Sequence, residues 1–76
     1  MSFQSYLDNI QAKTGKSAAE LLTIADEKGF SEGARLKPGV KAGTITDWLK
    51  ADFDLGHGHA MAIYALLSGK KSIGDA

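Results

Sequence analysis

Seventy-six residues, 43% hydrophobic and 24% charged, describe one ordered domain near the lower size limit for a chain that folds around its own core. Nine basic side chains balance nine acidic ones, which excludes a bulk electrostatic drive toward nucleic acid or anionic lipid. The lack of cysteine excludes disulfide and Cys-metal bracing, and no apolar run or leader-like N-terminus suggests a membrane, so a cytoplasmic protein is expected.

The apolar spacing predicts an all-α fold: a compact four-helix domain over residues 1–76, with a long pinned loop between helices two and three and a frayed tail from about residue 70. Ser2 is the expected N-cap of the first helix, whose Phe3, Tyr6, Leu7 and Ile10 share one face. Thr14 and Gly15 stop it. Ser17 opens the second helix with Glu20 three residues on, the spacing of a capping box. Ala18, Leu21, Leu22 and Ala25 form its buried stripe, and Gly29 ends it.

From Phe30 to Gly43 the breakers Gly33, Pro38, Gly39 and Gly43 argue against a regular helix. This segment reads as a loop pinned by Phe30, Leu36 and Val40, with one short turn over residues 34–37. Such a loop is a natural place for a recognition surface. Arg35, Lys37, Lys41 and Lys50 give the region from Ser31 to Lys50 a basic excess over Glu32 and Asp47, which reads as a solvated surface. The third helix is expected to begin after Thr44, with Asp47 as the reciprocal capping residue and Ile45, Trp48, Leu49 and Phe53 facing inward. Trp48 is expected to be a core anchor.

The fourth helix is expected from about Gly58 to Ser68, with Ala60, Ile63, Tyr64 and Leu67 on one face and Met61 and Leu66 widening it. Gly69 ends it, and Lys70 and Lys71 suit the negative end of its dipole. The predicted core is therefore Phe3, Tyr6, Leu7, Ile10, Leu21, Leu22, Ala25, Ile45, Trp48, Leu49, Phe53, Ile63, Tyr64 and Leu67.

The run LGHGHAMAIYALL, from Leu55 to Leu67, comes closest to chemistry. His57 and His59 would point about 200° apart inside a helix, and zinc would need further ligands such as Asp52 or Asp54. No metal site is expected. Gly56 and Gly58 instead suggest exposed amides at a helix entrance, a seat for an anion that His57, His59, Lys41 or Lys50 could assist. Gly56, Gly58 and Ala62 also match the GxGxxxA spacing of helix-hairpin-helix elements, which grip DNA phosphates; His57 stands where that motif carries an inward apolar residue, and Asp54 adds an acid beside the turn. Neutral overall charge weakens nucleic-acid binding as a reading.

Catalysis finds little support. PGVKAGT and KTGKS both lack the full phosphate-loop pattern, and local spacing shows no Ser/His/acid set. His57 with Asp52 or Asp54 could exchange a proton, but no substrate cavity is evident. No catalytic residues and no cofactor are expected.

SFQSYLDNIQAKTGKS, KAGTITDWLKADF and above all LGHGHAMAI resemble a bacterial family of short helical domains of unknown function, over most of Ser2 to Leu67. That resemblance implies a compact cytoplasmic helical unit and carries no catalytic residues. Two functions are compatible with these features. One is a non-catalytic interaction module that uses the Phe30–Gly43 loop and the helix-four entrance to hold a protein partner or a second copy of itself, with Phe30, Leu36, Val40 and Met61 as contact residues. The other is capture of an anion or nucleic-acid backbone at Gly56–His59 with Lys41 and Lys50.

Overall fold

The structure, a computed structural model, describes residues 3–33 and 35–71. Four helices and a two-stranded hairpin follow in the order α1 (Phe3–Thr14), α2 (Ala18–Glu27), β1 (Ser31–Glu32), β2 (Arg35–Leu36), α3 (Ala42–Phe53) and α4 (His57–Leu67). The domain is mostly helical, as expected. The expected N-cap at Ser2 and most of the expected tail lie outside the described residues. Among those described, no helix is long and apolar enough to cross a membrane.

α4 is the central element. It buries Ala60, Ala62, Ile63, Leu66 and Leu67, which together cover more than one face, and it packs against α1, α2, α3 and β2. A helix with apolar residues on several sides must be enclosed by neighbours. Around it the fully buried Ile10, Leu21, Ile45 and Leu49 come from α1, α2 and α3. Of the predicted core, Phe3, Tyr6, Leu22, Phe53 and Tyr64 are only partly buried and pack on its outside. Leu55 is fully inside, although it belongs to no helical stripe.

Helix ends follow local chemistry where that chemistry is strong. Ser17 caps α2 by accepting from the Glu20 amide at 3.2 Å, and Glu20 accepts from the Ser17 amide at 3.1 Å. Gly29 and Gly69 lie at φ 84° and 82°. Behind each, two amides return to the last-turn carbonyls: Gly29 to Asp26 and Phe30 to Ala25, then Gly69 to Leu66 and Lys70 to Ala65.

Donation from the Ser17 amide, helped by the Ser17 side chain and the Lys16 charge, holds the Glu20 carboxyl below its ordinary range. Since the folded value is the lower one, this stabilisation is present above the ordinary carboxylate range and is lost as pH falls through the folded value. Ser17→Ala is expected to cost about 1 kcal/mol at neutral pH. In denaturant melts followed through the acid range, wild type should lose stability faster than Glu20→Gln as the pH drops. Parallel curves would refute the assignment.

Two expectations need correction. The segment after α2 is not an irregular loop but an antiparallel hairpin, with Ser31 opposite Leu36 and Glu32 opposite Arg35. Ser31 is buried and donates its hydroxyl to Asp26, and the Lys37 amide closes on the Phe30 carbonyl at 3.1 Å. These bonds satisfy backbone and side-chain groups that a loop pressed on the core would leave unpaired. Strand pairing replaces the expected turn over residues 34–37; Ala34 itself lies outside the described residues. The second correction concerns α3, which starts at Ala42 with Lys41 as a cap that makes no side-chain hydrogen bond. Thr44 is already inside the helix, so Asp47 has no capping partner there.

Candidate functional site

The junction of α3 and α4 is a turn of three residues. Asp54 takes the left-handed conformation, φ 54° and ψ 36°, and its amide donates to the Lys50 carbonyl at 3.0 Å. Aspartate tolerates that conformation better than most non-glycine residues. The reversal turns Leu55 into the core at 2% exposure and sets Gly56 as the cap of α4. Gly56 has no side chain to accept from the first-turn amides, so α4 begins without a side-chain cap. Its N-terminal partial positive charge is left facing solvent.

A groove of about 290 Å³ lies against this junction, lined by Thr46, Asp47, Lys50, Leu55, Gly56 and His57. It sits at the small end of ligand-sized cavities, with room for one or two residues of a partner rather than a cofactor. Lys50 and Asp47 set opposite charges along one wall, Leu55 lies at its base and the uncapped start of α4 forms the other wall.

Three of the six predicted ligand residues, Lys50, Gly56 and His57, thus come together. Lys41 caps α3 and does not line the groove. Gly58 is exposed beside α1, where an added Cβ would only touch Tyr6 Cε1 at 4.0 Å. His59 turns away from His57 and packs edge-on against Tyr6, with ring centroids 5.3 Å apart at 75°. Its Nε2 is buried without a hydrogen-bond partner among the described residues. The two histidines therefore face different neighbours, as their helical spacing predicts. Among the described residues no group of three or more His, Asp or Glu side chains is placed to hold a metal.

The residues expected to meet a partner are half-buried. Phe30 lies 5.5 Å from Trp48 between ring centroids, Leu36 and Val40 pack against the core, and Met61 is partly covered on α4. Sequence reading missed Thr46, Asp47 and Leu55 as lining residues. Thr46 and Asp47 stand four and three residues before Lys50, which places all three on one helical face once α3 is known to start at Ala42. Assigning Asp47 to a cap concealed that face.

The sequence model of a family described as "Domain of unknown function (DUF4287)" matches residues 2–69. The chain belongs to this family. No curated protein and no solved structure matches the chain. The DUF4287 match spans all four helices and the hairpin, so the groove and the LGHGHAMAI segment both fall within the family's unit. In this DUF4287 domain the inward position of the α3–α4 turn is filled by Leu55, while His57 is exposed. A helix-hairpin-helix element would place its apolar residue at the position His57 occupies.

Proposed function

We propose that this domain is a small, non-catalytic protein-binding module whose contact site is the groove at the entrance of α4. The observation that carries this reading is the pairing of Asp47 and Lys50 in one groove with the uncapped start of α4. A protein segment brings both donors and acceptors. Its carboxylate or carbonyl oxygens suit the α4 amides and Lys50, and its N–H or ammonium groups suit Asp47.

The uncapped amides and Lys50 also favour the alternative, capture of a phosphate from a nucleic-acid backbone. Asp47 weighs against it, because a phosphodiester offers only acceptors and would face a carboxylate at short range. The balanced overall charge adds no compensating attraction.

Amide-resolved NMR titration separates the readings. With a short peptide carrying adjacent Glu and Lys, shifts are expected at Thr46, Lys50, Gly56 and His57, and Lys50→Gln should weaken them several-fold. A response at those residues to a short DNA duplex or inorganic phosphate, with none to the peptide, would transfer the site to the alternative. Silence with all three probes would remove the groove as a site.

A further inference from the structure

We propose that the exit of α4 is a second contact surface, one that docks an acidic segment of a partner protein. It goes beyond the groove, which lies at the opposite end of the same helix. Lys70 and Lys71 follow α4 directly, Arg35 joins them from the hairpin, and all three are exposed.

Arg35 stands opposite Glu32 in the hairpin register, yet among the described residues the ion pair is Lys28 with Asp52. The Arg35 guanidinium lies against Gly69 instead. A Cβ on Gly69 would meet its Nη1 at 3.3 Å and its Cζ at 3.6 Å, so glycine permits this approach as well as the φ of 82°. The amides of Lys70 and Lys71 both donate to the Ala65 carbonyl, at 3.0 and 3.2 Å, folding the chain back over the last turn of α4. Lys71 Nζ then sits 5.7 Å from the Phe3 ring centroid. Two of the three cationic heads are thus held by packing, and among the described residues none is paired with a carboxylate.

Complementing the helix end does not account for three cations. The C-terminus of a helix carries about half a negative charge, so among the described residues an excess of positive charge remains even with Glu32 counted against the three cations. Heads already positioned by Gly69 and Phe3 lose less freedom on meeting an anion. Three cations on a neutral chain fall short of the roughly 6–10 phosphate contacts of a strongly salt-dependent DNA binder, which favours carboxylates on a protein.

The test is an amide-resolved NMR titration of the whole chain with an oligoglutamate peptide, at low ionic strength and again at about 0.3 M salt, where surface charges are screened. Shifts are expected at Arg35, Gly69, Lys70 and Lys71, with affinity falling several-fold in high salt. The double substitution Lys70→Gln with Lys71→Gln lies outside every helix and strand and should weaken binding several-fold; Arg35→Gln should do the same. Absent shifts at low salt, shifts unaffected by these substitutions, or tighter binding of a DNA duplex at the same residues would overturn the proposal. A response confined to Thr46, Lys50, Gly56 and His57 would also overturn it while leaving the groove reading intact.

Discussion

Leu55→Ala is expected to destabilise the domain by about 2–5 kcal/mol, the cost of removing a buried leucine and leaving a cavity. For a chain of this length the whole folding free energy is roughly 4–11 kcal/mol, so the loss would approach half of it. Leu55 is 2% exposed, and it occupies a turn rather than a helix. The surrounding backbone is tied: Asp54 and Leu55 donate to the Lys50 and Leu49 carbonyls at 3.0 and 3.3 Å, and the Ala60 amide donates to Gly56 at 2.9 Å. A turn held at both ends has little freedom to collapse into the space left by the side chain. The same substitution removes apolar surface from the base of the α3–α4 groove, so peptide binding there should weaken even under conditions where the variant is folded. Denaturant melts give the stability, and NMR gives the binding in the folded fraction. Leu55→Met, which nearly conserves volume, should cost less than about 1.5 kcal/mol. If Leu55→Ala melted like wild type, the inward placement of this residue would be wrong.

The second large effect belongs to Trp48. Trp48→Ala should cost about 3–5 kcal/mol, whereas Trp48→Phe should cost less than half as much. The indole is 7% exposed and lies within an aromatic cluster, 5.5 Å from Phe30 and 6.1 Å from Phe53 between ring centroids. Phenylalanine keeps most of that contact. It also removes the Nε1–H, which is buried without a hydrogen-bond partner among the described residues. An unpaired buried donor costs about 1–3 kcal/mol, so its removal offsets much of the area lost. Thermal melts resolve the contrast easily, because 1 kcal/mol moves the midpoint of a domain this small by about 4–8 °C. A loss in Trp48→Phe of more than half that in Trp48→Ala would mean that the indole N–H is satisfied in solution.

Legibility varied with the range of the interaction involved. The capping box of Ser17 and Glu20 was readable because both partners lie within one turn. The faces of α1 and α2 were readable from their periodicity, and Gly15, Gly29 and Gly69 marked the helix ends by their left-handed conformations. The start of α3 was not. Thr44 has the better capping side chain, yet the cap is Lys41, three residues earlier, and the helix begins at Ala42. A cap contributes about 1 kcal/mol, which tertiary packing readily overrides. The hairpin was illegible for a related reason: strands of two residues show no alternation, and breakers before Pro38 suggest a loop.

The candidate site shows the same division. Gly56 and His57 stood out from sequence as a specialised helix entrance, and Lys50 as one cation among several. Their meeting with Asp47, Thr46 and Leu55 in one groove depends on how α3 packs on α4. Arg35 was indistinguishable from Lys37 or Lys41 until the hairpin carried it to Gly69.

Four amphipathic or apolar segments, most of their ends, the bulk of the core and the neutrality of the chain are all written in the order of the residues. Those properties follow from spacing and from contacts within one helical turn. What required the fold was the inward turn of Leu55, the gathering of Thr46, Asp47 and Lys50 with Gly56 and His57 in one groove, and the arrival of Arg35 beside Gly69 at the exit of α4. Such placements are set by packing between elements, where a few kcal/mol of burial outweigh the local preference of any single residue.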